Sequence, residues 1–500
     1  MQLLITAVLT FITIPVFIKK LGSENYGIFS IISIVGSVNV FANLGLNTSL
    51  IKFLAEQGKT KESDQDIIVT LLIVISLILP VTILFYYFGE FILRHIMNIP
   101  SGMFENAHHL YNYAIWANCL IFIGQTFSAI LNSQQKIYLT NIIQLSYSII
   151  YWGLLLVAVV LGYSLGNLGI VIFSAAAIWF SAIGLAAFKV WGKLDYSDCT
   201  KNLLNIARKQ IKYGMNIYLS GVVNFFYEPL TRILISNFIG VREVGFFDIG
   251  SKIVGQIMGL SSKILYPFFP LFSNLSDSKK ISFIVTDVQR KILFIIIPCI
   301  AIIIFIAKPF VNLWIGQNVG AISFTIIALG SANLLFSASV IPMYHFVTAK
   351  NRTDVMVYVQ MANVIASGII FFLTVRIFGY TAAILGNMTG IISGFALLTY
   401  YQKTLLTTYA FSSFNQLLKW IGILALSLII AYVTTLILPT DILKVLIIPI
   451  IVCGAILLLF RYFNVFSKKD VNIYFGENGI ANRIIMKLLI SSNAELEENY

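Results

Sequence analysis

The chain has 500 residues, 58% of them hydrophobic and only 11% charged, with a mean hydropathy of +0.89. A soluble globular chain carries about 25% charged residues, so this composition excludes a water-soluble domain. The net charge of +12 is of the size found in nucleic-acid-binding proteins, but the placement of the basic residues speaks against that use.

Apolar runs long enough to cross a bilayer, about 20 residues each, recur from end to end. Fourteen are legible: 1–18, 27–50, 67–92, 110–132, 138–162, 167–188, 213–236, 244–266, 290–314, 320–343, 354–376, 379–401, 418–438 and 442–462. The first begins at Met1 without a basic leader and ends at Lys19-Lys20 without a small-residue cleavage site, so no cleavable signal peptide is expected. With the N-terminus cytoplasmic, the inside loops, their adjoining span ends and the tail hold 24 Lys and Arg and the outside loops with their span ends 6, leaving Arg232, Lys252 and Lys308 deeper within spans. That bias follows the positive-inside rule, placing both termini in the cytoplasm and the basic residues beside membrane lipids rather than nucleic acid. No outside loop exceeds about 17 residues (93–109). Cys119, Cys199, Cys299 and Cys453 are scattered and form no CxxC pair.

The spans group around one long basic interval, 189–212. The expected organisation is a first lobe of six spans (1–188), this cytoplasmic linker, a second lobe of six (213–403), two terminal spans (404–462) and a cytoplasmic tail (463–500). The fold class is therefore all-α and polytopic, with two pseudo-symmetric six-helix lobes plus two C-terminal helices. A short echo supports the symmetry: LGSENYGIFS (21–30) and IGVREVGFFD (239–248) share aliphatic-Gly-x4-Gly-x-Phe, 218 residues apart. Each copy leaves one span and opens the next, as parallel repeats require.

The run LGSENYGIFSIISIVGSVNVFANLGLNTSLIKFLAEQGK (21–59) resembles the first loop and second helix of the oligosaccharide-lipid flippases. These O-antigen and capsule-repeat exporters belong to the multidrug/oligosaccharidyl-lipid/polysaccharide exporter superfamily. IGVREVGFFDIGSKI (239–253), FVNLWIGQNVGAISFTIIALG (310–330) and AKNRTD (349–354) fit the same pattern. The resemblance implies a bacterial cytoplasmic-membrane protein, not an enzyme, working by alternating access of two six-helix bundles. It implies a lipid-linked oligosaccharide as cargo, with a polysaccharide polymerase and chain-length machinery as further partners. Fourteen spans favour the polysaccharide branch over the drug-efflux branch.

Charge is rare within the spans. Span seven carries FFYEPLTRIL (225–234), in which Asn216, Ser220, Asn224, Glu228, Arg232 and Ser236 recur every fourth residue as one winding polar stripe. Span eight repeats the device with Asp248, Lys252, Gln256, Gly259 and Lys263. Polar stripes avoid lipid, so they face protein or water, either as interhelical glue or as a lined cavity. Glu228 and Arg232, at i and i+4, form either a self-contained pair or a working site. Pro229 removes the hydrogen bond to the carbonyl of Phe225 and is expected to kink the helix, as are Pro15, Pro80, Pro298 and Pro342. The first lobe offers amides, hydroxyls and an aromatic instead: Gly36, Asn39, Asn43 and Asn47 in span two, and Asn118, Gln125, Ser128, Asn132, Asn141, Gln144, Ser148 and Tyr151 in spans four and five. These suit sugar hydroxyls and helix–helix hydrogen bonds alike. Gly386, Gly390 and Gly394 predict close backbone packing in span twelve.

The candidate cavity residues are thus Arg232, Lys252, Glu228, Asp248, Asn224, Gln256, Asn39 and Asn43. A pyrophosphate crossing a low-dielectric core needs cations; Arg232 supplies a fork and Lys252 a point charge. Glu228 and Asp248 are the acids placed to carry a proton. Gly58-Lys59-Thr60 lacks the first glycine of a phosphate-binding loop, Phe53 standing there. The histidines show no metal spacing, so neither a nucleotide nor a metal cofactor is expected. Two other readings remain: a cation-coupled drug exporter, whose cavity needs unpaired carboxylates, and a membrane polymerase or acyltransferase, which needs a large catalytic loop or a His/Asp constellation.

Overall fold

In hydrocarbon a backbone has no water to bond, so a chain this apolar must satisfy its peptide groups within helices. The computed structural model describes residues 2–38, 45–194, 203–212, 228–265, 268, 272, 275, 277–316, 319–350, 352–407 and 414–462, and among them every regular element is helical. In chain order these include α1 (Gln2–Leu21), α2 (Ser23–Ile32), α3 (Leu46–Gln57), α4 (Lys61–Tyr87), α5 (Phe104–Ser133), α6 (Ile137–Val160) and α7 (Leu168–Trp191). They continue with α8 (Glu228–Phe238), α9 (Val241–Leu265), α10 (Ser278–Trp314), α11 (Val319–Ala332), α12 (Ile341–Ala349), α13 (Thr353–Phe378), α14 (Tyr380–Leu406), α15 (Phe414–Ile437) and α16 (Asp441–Tyr462). Among the described residues ten helices are long and apolar enough to cross a membrane. The chain is a multi-pass helical membrane protein. Expected spans one, two and eight coincide with α1, α2–α3 and α9. Most of expected span seven (213–227) and the tail (463–500) lie outside the described residues.

Two of the expected spans are interrupted. Within 27–50, α2 gives way to a tight 3-10 turn, Ser33–Val38, and α3 starts afresh after Gly45, whose φ of +69° is left-handed. Within 320–343, a π turn (Asn333–Ser337) and a 3-10 turn (Ala338–Val340) separate α11 from α12. Pro342, in the first turn of α12, has no N–H to offer the carbonyl of Ala338, so one continuous helix is unfavourable there. Pro15, Pro80 and Pro298 sit inside helices that continue past them, as membrane helices tolerate when neighbouring groups make up for the missing donor. Pro229 stands in the first turn of α8, and the carbonyl of Phe225 lies outside the described residues.

Packing divides the chain into two units. The first comprises Met1–Ile249 with Gly368–Ala383; the second comprises Gly250–Ser367 and the chain from Ile384. The first has a core of Leu50, Leu54, Ile67, Ile130, Trp179 and Ile183, contributed by α3, α4, α5 and α7. At its basic end, the helical stretch 203–212 is pinned by polar contacts. Gln210 is fully buried: its side chain accepts from Thr70 Oγ1 at 2.8 Å and donates to the Asp66 carboxylate at 3.3 Å. Its backbone carbonyl accepts from Ser49 at 2.8 Å. Lys209 places its amine 3.4 Å from Asp66 and 4.0 Å from the Phe53 ring centre. Part of the basic linker is therefore a docked element of this unit.

The second unit is built on α10. Leu293 and Ile297 pack with Trp420, Ile423, Ile448 and Val452 of α15 and α16. Val288, Ile296 and Ile300 pack with Leu334, Ala338 and Ile341. In the glycine ladder of α14, a Cβ at Gly394 would lie 2.0 Å from the side-chain oxygen of Asn363, so this position is a close approach, as its spacing predicts.

Candidate functional site

The two echo motifs meet. Gly22 (φ +86°) and Gly240 (φ +151°) occupy matching places, each in a backbone conformation that only glycine adopts cheaply, and turn the chain into α2 and α9. The second glycines then bring these helices together. A Cβ on Gly27 would lie 1.8 Å from the carbonyl oxygen of Val241, and one on Gly245 would lie 3.2 Å from the backbone nitrogen of Gly27. Equivalent residues of the repeat thus touch through bare backbone.

That contact fixes what stands beside it. Tyr26 precedes Gly27, is 2% exposed, and packs edge-on against Phe17 at 6.2 Å between ring centres. Its hydroxyl donates to Asp248 Oδ2 at 2.7 Å. Asp248, three residues after Gly245, is fully buried; its other oxygen lies 2.9 Å from Arg232 Nη2. Arg232, on α8, is 11% exposed, and its Nη1 donates to Ser33 Oγ at 3.4 Å. Tyr26, Asp248, Arg232 and Ser33 form one chain of contacts across α2, its 3-10 extension, α8 and α9. The arrangement breaks the repeat symmetry chemically. Ser30 matches Asp248 and Val244 matches Tyr26; the buried Ser30 hydroxyl finds no hydrogen-bond partner among the described residues.

Of the residues singled out from sequence, Arg232 and Asp248 are brought together. The partner seen on Arg232 is Asp248; the Glu228 side chain, with Asn39, Asn43 and Asn224, lies outside the described residues. Lys252 and Gln256 fall in the second unit, both half-buried on α9, and the Gln256 side-chain oxygen has no hydrogen-bond partner among the described residues. Sequence reading passed over Tyr26 and Ser33. The signal for Tyr26 was its position beside the repeat's second glycine, where the other copy carries Val244.

A buried carboxylate that accepts from Tyr26 on one oxygen and stands 2.9 Å from Arg232 Nη2 with the other orients a guanidinium whose Nη1 reaches a hydroxyl. Such a fork, largely removed from water, is suited to hold an anion with planar or tetrahedral oxygens. The fold and this charge cluster define a helical membrane protein with a buried, oriented cation. The chain belongs to the polysaccharide biosynthesis protein family, whose model matches residues 1–276.

The chain is 22% identical over 428 residues to a protein named as an O-antigen transporter from Shigella flexneri, covering 81% of this chain and 96% of that one. It is 24% identical over 324 residues to one named as an O-antigen export protein from Yersinia pseudotuberculosis, covering 62% and 71%. Its fold is similar to that of the lipid II flippase MurJ in an inward closed conformation, with TM-score 0.71, 16% identity, and 92% and 98% coverage. It is also similar to an inward-facing multidrug resistance MATE family transporter of the MOP superfamily, with TM-score 0.64, 14% identity, and 80% and 94% coverage.

Proposed function

We propose that the chain is a flippase of the bacterial cytoplasmic membrane that moves oligosaccharide repeat units linked to undecaprenyl pyrophosphate from the inner to the outer leaflet. The observation that carries this reading is Arg232, a cation held at 2.9 Å by a fully buried carboxylate in a membrane chain whose relatives are named as O-antigen transporters. A pyrophosphate is an anion of the kind such a fork grips in two places. Lys252 adds a second positive charge on α9. Translocation proceeds by alternating access of two bundles without ATP hydrolysis. Both termini are cytoplasmic, the orientation that agrees with the 24-to-6 distribution of Lys and Arg.

A drug exporter selective for cations needs a free carboxylate in its cavity, whereas Asp248 is bound by Tyr26 and Arg232. The reading is tested in the source bacterium. Deleting the gene should remove the surface polysaccharide and trap the lipid-linked repeat unit on the cytoplasmic leaflet. Unchanged surface polysaccharide with raised sensitivity to cationic drugs would support the exporter instead.

A further inference from the structure

Beside Ser33 the first unit contains a cavity of about 140 Å³ that the charge cluster does not fill. At about 30 Å³ per water it holds on the order of five waters, a single ring rather than a whole oligosaccharide. Its walls come from α2 and its 3-10 extension, α5, α6 and α7, and include Phe29, Ser33, Asn118, Tyr147 and Tyr151. Tyr147 and Tyr151 stand one turn apart on α6, ring centres 5.7 Å from each other. Tyr147 and Tyr151 are half-buried, and neither hydroxyl has a hydrogen-bond partner among the described residues, whereas the more deeply buried Tyr26 and Tyr111 hydroxyls donate to Asp248 and to the carbonyl of Phe85. Phenol hydroxyls inside a protein usually find partners; two that lack one, beside an empty space, mark positions prepared for a polar guest. Ser33 links that space to the cation, since it is one of the cavity's lining residues and its hydroxyl accepts from Arg232.

We propose that this cavity reads the sugar ring attached to the phosphate held by Arg232, with Tyr147 and Tyr151 as the specificity-determining residues. The proposal rests on the flippase reading above. Aromatic faces pack against the C–H faces of a pyranose, and the two phenol hydroxyls with Ser33 supply donors and acceptors for its hydroxyls. A lipid acyl chain needs only the apolar walls and would leave both phenols unbonded.

The test uses the full chain in detergent, with binding measured by native mass spectrometry to three probes. These are undecaprenyl pyrophosphate alone, the same carrier bearing one hexose, and the same carrier bearing one N-acetylhexosamine. The wild type should bind at least one glycosylated carrier about tenfold more tightly than the bare one, the worth of one good hydrogen bond. Tyr147→Phe/Tyr151→Phe keeps both rings, and should cut that preference below about threefold while leaving the bare carrier's affinity unchanged. Ala114→Leu, which narrows the same cavity, should reduce the preference independently of the tyrosines. No preference in the wild type, or equal weakening of all three probes by the variants, would overturn the proposal, the second result assigning the cavity to the lipid chain. Arg232→Gln separates the two readings. If bare-carrier binding survives that substitution, the pyrophosphate assignment fails whatever the tyrosines do.

Discussion

Arg232→Ala is expected to abolish surface polysaccharide and to lower the protein's thermal stability in detergent. Both effects follow from one geometry. The substitution removes the guanidinium proposed to hold the cargo, and takes the ion-pair partner from a fully buried Asp248. Breaking a buried ion pair by deleting one partner costs about 3–5 kcal/mol, mostly through the orphaned charge. Arg232→Gln/Asp248→Asn removes both charges and should restore most of the stability. Export should remain absent, because the cation is gone. Arg232→Lys should restore little, since an ammonium cannot contact Asp248 and Ser33 with the same planar fork. Tyr26→Phe is the milder control. It takes one donor from a buried carboxylate, an expected loss of about 1–3 kcal/mol, and leaves Arg232 in place.

Gly27→Ala should damage the fold on a scale comparable to the loss of Arg232. The added methyl would stand 1.8 Å from the Val241 carbonyl oxygen, 2.7 Å from its carbon and 3.4 Å from the Arg242 nitrogen. The obstacle is backbone, which has no alternative rotamer, so α2 and α9 must separate. Overpacking in tight cores usually costs about 1–3 kcal/mol, occasionally more, and a clash of this depth belongs at the upper end. Separation would also draw Tyr26 away from Asp248. The expected result is a strong fall in membrane-inserted protein and in melting temperature. Gly245→Ala, whose nearest neighbours stand at 3.2 Å, should be clearly milder. Equal tolerance of both would mean that the repeat contact is looser than the structure has it.

Much of this architecture is written in composition. Hydropathy alone marks the membrane spans, because a bilayer permits little besides helices. The echo at 21–30 and 239–248 was legible too, since glycines at fixed intervals leave a visible trace. What the echo does in space was not. A repeat marks equivalent positions without saying that they touch, and the Gly27–Gly245 contact is a tertiary fact. The same limit applies to charge pairing. Glu228 and Arg232 share a helical face in sequence, but the acid found on the guanidinium is Asp248, sixteen residues on along the chain and on another helix. Helical spacing ranks neighbours within one rod and is blind to neighbours on the next. The breaks after Ile32 and at Asn333–Val340 were hidden for a related reason. Both segments are free of charge and predominantly apolar, and hydropathy does not distinguish a continuous span from an interrupted one. The cavity beside Ser33 was beyond reach from sequence, because Phe29, Asn118 and Tyr151 meet only after four segments have packed.

In the proposed mechanism a buried, carboxylate-held arginine carries an anionic lipid-linked sugar across the membrane. Its most direct test is translocation in proteoliposomes containing the full chain and no nucleotide. The assay follows the transfer of undecaprenyl-pyrophosphate-linked oligosaccharide between leaflets by its accessibility to an external glycosidase. The wild type should transfer it, and Arg232→Gln/Asp248→Asn reconstituted in equal amount should show no transfer above protein-free vesicles. Transfer by the double variant at the wild-type rate would contradict this mechanism.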